Sequence, residues 1–238
     1  NSDSGAHHRP PLPTQRVQRL PMTSVALPSQ AVPTARLSSF YFFYYAALGA
    51  FTPYWSLYLQ SRGMTVTAIS VMMSLWYATR VIAPSTWTSL AAVSPHPIRW
   101  LRVGCVLTIV CFAGFLVPAP PWTLYAVMIA FCFFYNAVMP QFESITLTHL
   151  GADSHRYGMI RVWGSVGFII VVTLLGWLIE KHGAGKLPWL MLPLFVLLAG
   201  SAFLNSYTHN ISSHNPHDAG FWSIVRQKPV MAFFIAAF

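Results

Sequence analysis

The chain has 238 residues, of which 55% are hydrophobic and only 8% charged, whereas a soluble domain carries about 25% charged residues. Charge this sparse leaves too little polar surface for a water-soluble fold and points to an integral membrane protein. The formal net charge is +9, yet nucleic-acid binding is excluded as a reading because the Lys and Arg residues flank apolar segments and share no basic face.

Residues 1–36 are rich in Pro, Ser, Thr and Arg and have no apolar periodicity. They bury too little to fold and read as a disordered cytoplasmic tail. A secretory signal is not expected, since the first apolar run begins near Leu37 and is too long for a signal core. The chain opens on Asn1 and its first methionine is Met22. One reading places the true start at Met22, and the mass of the native N-terminus tests it.

A span needs about 20 mostly apolar residues, and six such runs follow. They are expected at Leu37–Leu59 with Pro53 inside, Val66–Ala92 with Arg80 and Pro84, Trp100–Val117, Trp122–Leu150 with Pro140 and Glu143, Tyr157–Ile179 with Arg161, and Leu187–Leu204. The domain plan is the tail over 1–36, a six-helix transmembrane bundle over 37–206, a polar cytoplasmic loop over 207–228, and the start of a seventh span over 229–238. A ten-residue segment cannot cross a bilayer, so the chain reads as the first half of a larger protein, cut early in its seventh helix. The sequon at Asn210 is discounted because the expected topology puts it in the cytoplasm.

Orientation follows from Lys and Arg in short loops. With the N-terminus inside, Arg9, Arg16, Arg19, Arg36, Arg99, Arg102, Arg156, Arg226 and Lys228 lie inside. Only Arg62, Lys181 and Lys186 lie outside. Trp55, Trp76, Trp87, Trp100, Trp122, Trp177 and Trp189 fall mostly towards span ends, as interfacial anchors do. Cys105, Cys111 and Cys132 lie within apolar runs and match no zinc or redox spacing.

The candidate chemistry lies in the hairpin Trp122–Glu180. Glu143 and Arg161 are each nine residues from Ala152 in the turn. On two helical arms each charge stands roughly 13 Å from the turn, so the two share one depth. Charge embedded in a span marks a substrate or ion path by default, and Arg80, 14 residues into the second span, is the third such group. Two bases and one acid suit a solute with a carboxylate, or one rich in hydroxyls that a guanidinium grips in a fork. The competing reading is an ion pair that only fixes helix packing. Prolines 53, 84, 140 and 193 either shape a cavity or bend helices. Gly164, Ser165 and Gly167 let a neighbouring helix approach, while Trp163 and Phe168 offer rings near the pair. No catalytic arrangement, phosphate loop or metal-ligand spacing stands out, so neither an enzyme, a cofactor nor a metal is expected.

The stretch Tyr157-Gly158-Met159-Ile160-Arg161-Val162-Trp163-Gly164-Ser165-Val166 resembles the start of the fifth helix in the phenylpropionate permease branch of the major facilitator superfamily. Gly49-Ala50-Phe51-Thr52-Pro53-Tyr54-Trp55-Ser56 resembles that branch's first helix, Arg80 matches an arginine in its second, and Arg102-Val103 a later pair. The resemblance covers roughly residues 37–238. It implies an all-α integral membrane fold: the six-helix N-terminal half of a twelve-helix transporter, built from 3+3 inverted repeats. The related lactose permeases and nucleoside symporters belong to the same superfamily. The lactose permeases carry Pro-x-x-Glu on helix four and an arginine 18 residues later, as Pro140-Gln141-Phe142-Glu143 and Arg161 do here. Where they stack a tryptophan on the sugar ring, this chain has Phe168. The loop Leu90–Pro97 also lacks the acid usual in the superfamily.

What the resemblance implies is a secondary transporter of the bacterial cytoplasmic (inner) membrane. It would carry a small organic solute (aromatic acid, nucleoside or sugar) by alternating access, in symport with a proton. Glu143, Arg161, Arg80 and Phe168 would bind the solute. The other partners would be the lipid bilayer and the C-terminal half of the same protein. The rival is a non-transporting sensor or scaffold whose ion pair is structural.

Overall fold

A computed structural model of the protein describes residues 33–92, 94 and 96–205. Residues 1–32, including Met22, and the expected central loop and seventh-span start lie outside the described residues. Six α-helices follow one another: α1 (Thr34–Ser61), α2 (Val66–Ala92), α3 (Pro97–Ala113), α4 (Pro121–Leu150), α5 (Tyr157–His182) and α6 (Leu187–Leu204). Short 3-10 turns extend α3 and form the α4–α5 and α5–α6 connections. Proline stands in the first turn of α3, α4 and α6, where its missing N–H costs no helical bond. The first helix begins at Thr34, so the last residues of the expected tail are already helical.

Five helices, α2 to α6, are long and apolar enough to cross a membrane. At 28 residues, α1 has the length too, about 42 Å at 1.5 Å per residue. Its average hydropathy is lowered by Tyr41, Tyr44, Tyr45, Tyr54 and Tyr58. Burial explains how α1 tolerates them: Leu37, Phe40, Tyr41, Ala46, Ala47, Ala50, Phe51, Trp55, Tyr58 and Leu59 are all essentially inaccessible. A helix wrapped by other helices needs packing surface more than lipid solubility.

Apart from α3 and α4, helices adjacent in sequence barely touch. The dominant contacts are α1 with α5, α2 with α4, α3 with α4, α1 with α6, and α3 with α6. Exchanging α1 with α4, α2 with α5 and α3 with α6 maps this set onto itself. The exchange pairs helices that run in opposite directions along the chain, which is the pattern of an inverted three-plus-three repeat.

The closest seam is α1 against α5. A Cβ on Gly164 would lie 2.6 Å from the Tyr45 ring, and one on Gly167 would collide with the Phe42 carbonyl. Only glycine admits the backbone there, the small-residue device of membrane helix packing. Tyr54 locks the seam by donating to the Val172 carbonyl at 2.7 Å. Between the two central helices, α1 and α4, rings fill the gap. Phe40 stacks on Phe142 with centroids 3.8 Å apart, and Tyr44 on Tyr135 at 4.5 Å and 6°. Tyr135 also donates to the Tyr44 carbonyl at 2.6 Å. Each such pair adds about 0.5–1.5 kcal/mol beyond its burial.

Three of the tryptophans expected as interfacial anchors are core residues instead: Trp55, Trp76 and Trp87 are 0%, 6% and 4% exposed. Trp122, Trp177 and Trp189 are exposed, as an anchor is. The difference has a local cause at Trp87, whose Nε1–H donates to Gln141 Oε1 at 2.7 Å, while Gln141 Nε2 donates to the Pro97 carbonyl at 2.7 Å. One buried amide thus ties α2, α3 and α4 together. At the same end Arg102 donates to the carbonyls of Ala202, Phe203 and Asn205, and Asn205 donates to the Arg36 carbonyl. A cation on the last carbonyls of α6 is the favourable sign for a helix C-terminus, and it joins the ends of α1, α3 and α6.

Two outcomes follow from this packing. Gly167→Leu is expected to abolish or sharply lower the yield of monodisperse protein in detergent, whereas Gly200→Leu, at a position with open space around it, leaves yield unchanged. Gln141→Leu strands a buried indole N–H and a carbonyl, at about 1–3 kcal/mol each. Its thermal unfolding midpoint should fall clearly below that of wild type, with Thr148→Val, which changes an exposed hydroxyl bonded only to its own helix, as the unaffected comparison.

Candidate functional site

Helices α1, α2, α4 and α5 enclose a cavity of about 280 Å³. Its lining comes from single faces of each helix. On α2 the residues are Trp76, Arg80 and Pro84, each one turn apart; on α4 they are Asn136, Met139, Pro140 and Glu143; α1 adds Tyr44, Tyr45 and Leu48; α5 adds Arg161. The periods of four on α2 and of three and four on α4 place each set on one helix face.

Glu143 and Arg161 meet in this cavity, with Arg161 Nε 3.6 Å from Glu143 Oε1 and each side chain 35% exposed. The equal depth read from the turn is thus realised. In the hairpin itself α5 lies on α1, α4 lies on α2 and α3, and the two arms scarcely touch. The ion pair therefore reaches across an opening between them. With each side chain about one-third exposed, the pair is neither sealed in the core nor part of a packed α4–α5 interface. The contact runs through Nε, and among the described residues no salt bridge reaches the two terminal amino groups of the guanidinium.

The pair is oriented by phenols. Tyr157, one turn before Arg161, donates to Glu143 Oε1 at 3.1 Å. The Arg161 guanidinium lies over the Tyr45 ring at 4.4 Å and near the Tyr41 ring at 5.6 Å, in cation–π range. Tyr41 and Tyr45 are spaced i, i+4 on α1, and the glycine seam brings that face onto Arg161.

Arg80 lines the same cavity, exposed and without an acidic partner within salt-bridge distance among the described residues. Pro84 and Pro140 line it as well, whereas Pro53 and Pro193 do not. Each proline withdraws the N–H that would bond the carbonyl four residues earlier, which belongs to Arg80 and Asn136 respectively. Phe168 is placed elsewhere: its ring and carbonyl face Gly49 in the α1–α5 seam, outside this lining. Trp163 lies on a different cavity, of about 520 Å³, between the starts of α1 and α5. The sequence reading missed Tyr45, Tyr157, Trp76 and Asn136 as lining or orienting groups. Spacing held a signal for two of them, since Tyr157 is four residues before Arg161 and Asn136 seven before Glu143.

Comparison with known proteins gives the site its context. The chain matches the MFS_1 like family over residues 34–238. It is 32% identical over 141 residues to a maltose permease of Geobacillus stearothermophilus, an alignment covering 58% of this chain and 36% of that protein. It is 30% identical over 139 residues to a probable 3-phenylpropionic acid transporter of Escherichia coli K12, covering 58% and 37%. A third relative, the uncharacterized transporter YwbF of Bacillus subtilis, is 26% identical over 145 residues, covering 60% and 36%. The aligned part of the chain spans a little over a third of the length of these relatives. No solved structure matches it. An all-α fold of membrane-length helices, charges gathered at one depth and a family match over most of its length agree: the chain belongs to the MFS_1 like family of the major facilitator superfamily.

Proposed function

We propose that the protein is a secondary transporter that moves a small organic solute across the membrane in symport with a proton, and that Glu143, Arg161 and Arg80 form the solute site on the N-terminal half. The observation that carries the reading is the gathering of one carboxylate and two guanidiniums around one cavity among four helices. Membrane-embedded charge is costly and marks solute or ion paths. In the major facilitator arrangement this cavity would face the C-terminal half of the protein across the midplane, and rocking of the two halves would expose it alternately to either side. Helix α1 would start in the cytoplasm, consistent with the excess of Lys and Arg in the loops on that side, and the membrane would be the bacterial inner membrane.

The chemistry runs as follows. A carboxylate, or a pair of hydroxyls, on the solute takes the terminal amino groups of Arg161, with Arg80 as the second cation. Glu143, bridged to Arg161 at 3.6 Å, loses part of its partner as the solute binds. Glu143 is the one carboxylate among the described residues that line the cavity, and the proton coupling is assigned to it. The rings of Tyr44, Tyr45 and Trp76 supply flat apolar walls for a cyclic solute. Phe168, two helical turns beyond Arg161 on α5, packs at Gly49 outside this lining and is left out of the proposed site. The names of the relatives suggest two probes, maltose and 3-phenylpropionate, and a nucleoside such as uridine completes the panel.

Cells expressing the complete reading frame, de-energised and given each solute in turn, are expected to alkalinise the medium with one of them and to accumulate it when labelled. Glu143→Gln should abolish alkalinisation. Arg161→Ala should lower solute affinity about 30-fold or more, the usual cost of truncating one partner of a desolvated charge contact, and Arg161→Lys should not restore it because a point charge lacks the planar fork. Wild-type uptake by both Glu143→Gln and Arg161→Ala, at normal expression, would sink the site assignment. Tyr157→Phe removes one hydrogen bond to the acid and should weaken apparent affinity by about fivefold. An unchanged KM would mean that the phenol does not orient Glu143.

A further inference from the structure

Asn136 stands on the α2 side of the cavity and is 5% exposed. Its Nδ2 donates to the Trp76 carbonyl at 3.2 Å and to Thr79 Oγ1 at 3.1 Å. The carbonyl can only accept. The Thr79 hydroxyl has its own proton directed to the Leu75 or Trp76 carbonyl, at 2.8 and 3.0 Å, so it too offers only a lone pair. Both neighbours demand a donor, and the amide is therefore fixed with nitrogen towards α2. The oxygen is left on the other side, without a donor among the described residues. It is not sealed in either: the one buried side-chain polar atom lacking both a partner and solvent access among these residues is Trp55 Nε1. Oδ1 therefore keeps some access, and because Asn136 lines the cavity the fixed amide is placed to offer it there as an acceptor.

A second acceptor belongs to the same wall. Pro140 deprives the Asn136 carbonyl of its helical donor, and Pro84 does the same for the Arg80 carbonyl. Asn136 lies seven residues before Glu143 on one face of α4, roughly 10 Å along the axis. The cavity wall thus carries both donors, the two guanidiniums, and uncharged acceptors, the Asn136 amide oxygen and the two freed carbonyls.

We infer that Asn136 Oδ1 forms a second subsite that accepts a hydrogen bond from a hydroxyl group of the transported solute, so that the preferred solute carries a hydroxyl roughly 10 Å, a ring and a short chain, from the group gripped by Arg161. The inference rests on the reading of this cavity as the solute site. A site built to receive a donor discriminates against an analogue that lacks it, because the protein acceptor is then desolvated without a partner.

The test uses purified full-length protein and two probes differing by one hydroxyl, 3-phenylpropionate and 3-(4-hydroxyphenyl)propionate, with binding measured calorimetrically. Wild type is expected to bind the hydroxylated acid about tenfold more tightly, one neutral hydrogen bond in an apolar site. Asn136→Ala is expected to bring the two affinities within about twofold by weakening only the hydroxylated probe. Thr79→Val, which withdraws one acceptor from Nδ2 and leaves Oδ1 in place, should keep the preference. Equal wild-type affinity for the two probes overturns the inference without any variant having to fold. So does an unchanged preference in Asn136→Ala, and so does an equal loss for both probes in Asn136→Ala and Thr79→Val, the mark of a purely structural asparagine. If Arg161→Ala abolishes binding of both probes while no hydroxyl preference exists, the cavity remains the solute site and only the subsite falls. If wild type binds neither probe, the subsite at this spacing falls, and the solute reading is judged separately by the maltose and uridine arms of the uptake panel.

Discussion

The glycine-lined seam between α1 and α5 is the constraint on which the site depends. With no side chain at Gly164 and Gly167, the two backbones approach until the Phe42 carbonyl and the Tyr45 ring sit where a Cβ would be. That approach puts Tyr41 and Tyr45 beneath Arg161 and sets the guanidinium at the depth of Glu143. A larger residue at either glycine would push α5 outward and carry Arg161 away from its acid. The seam is structural in its own right, yet its consequence is electrostatic.

Because α5 is committed to α1, it cannot also pack on α4. Apart from α3 with α4, the chain folds by pairing helices that are not neighbours in sequence, and the arms of the α4–α5 hairpin stand apart. This explains how an acid and a base 18 residues apart come to face one another across a space rather than through a packed interface. An ion pair inside a tight helical hairpin would be closed to any third partner. Here both members stay about one-third exposed, and each is steadied by phenols, Tyr157 for the acid and the Tyr41 and Tyr45 rings for the base. The arrangement holds two charges ready while leaving room beside them.

Much of this was legible in the sequence, and what was not has identifiable causes. Helix positions followed from hydropathy because a bilayer demands long apolar runs, and α6 falls on the expected residues, Leu187–Leu204. Glu143 and Arg161 could be paired from their equal distance to the turn, since helical rise is fixed. The start of α1 was missed because Thr34, Ala35 and Arg36 are not apolar, and the helix begins where the backbone allows, after Pro33. The buried tryptophans were misread because position near a span end does not say whether a residue faces lipid or a neighbouring helix. Trp87 is buried because Gln141, on a helix remote in sequence, offers it an acceptor. Asn136 escaped notice for the same reason: its orientation is decided by Trp76 and Thr79, and no local pattern records them.

The two cavity-lining prolines connect the fold to its chemistry. In a water-soluble helix a proline interrupts the hydrogen-bond ladder and solvent covers the loss. In a membrane the freed carbonyl is tolerated only where protein or a cavity attends to it. Pro84 and Pro140 both stand on the cavity wall, and the carbonyls they release belong to Arg80 and Asn136, two other residues of that wall. Pro53 and Pro193 interrupt α1 and α6 away from this cavity. The same residue type thus has different consequences according to which face of its helix it occupies. On α2 and α4, the exchange of one backbone bond for one open acceptor makes the wall polar without adding a charge. Under the proposed reading, a cavity whose cations come from side chains and whose acceptors are Glu143, an amide and two backbone carbonyls would suit a solute that is both an acceptor and a donor.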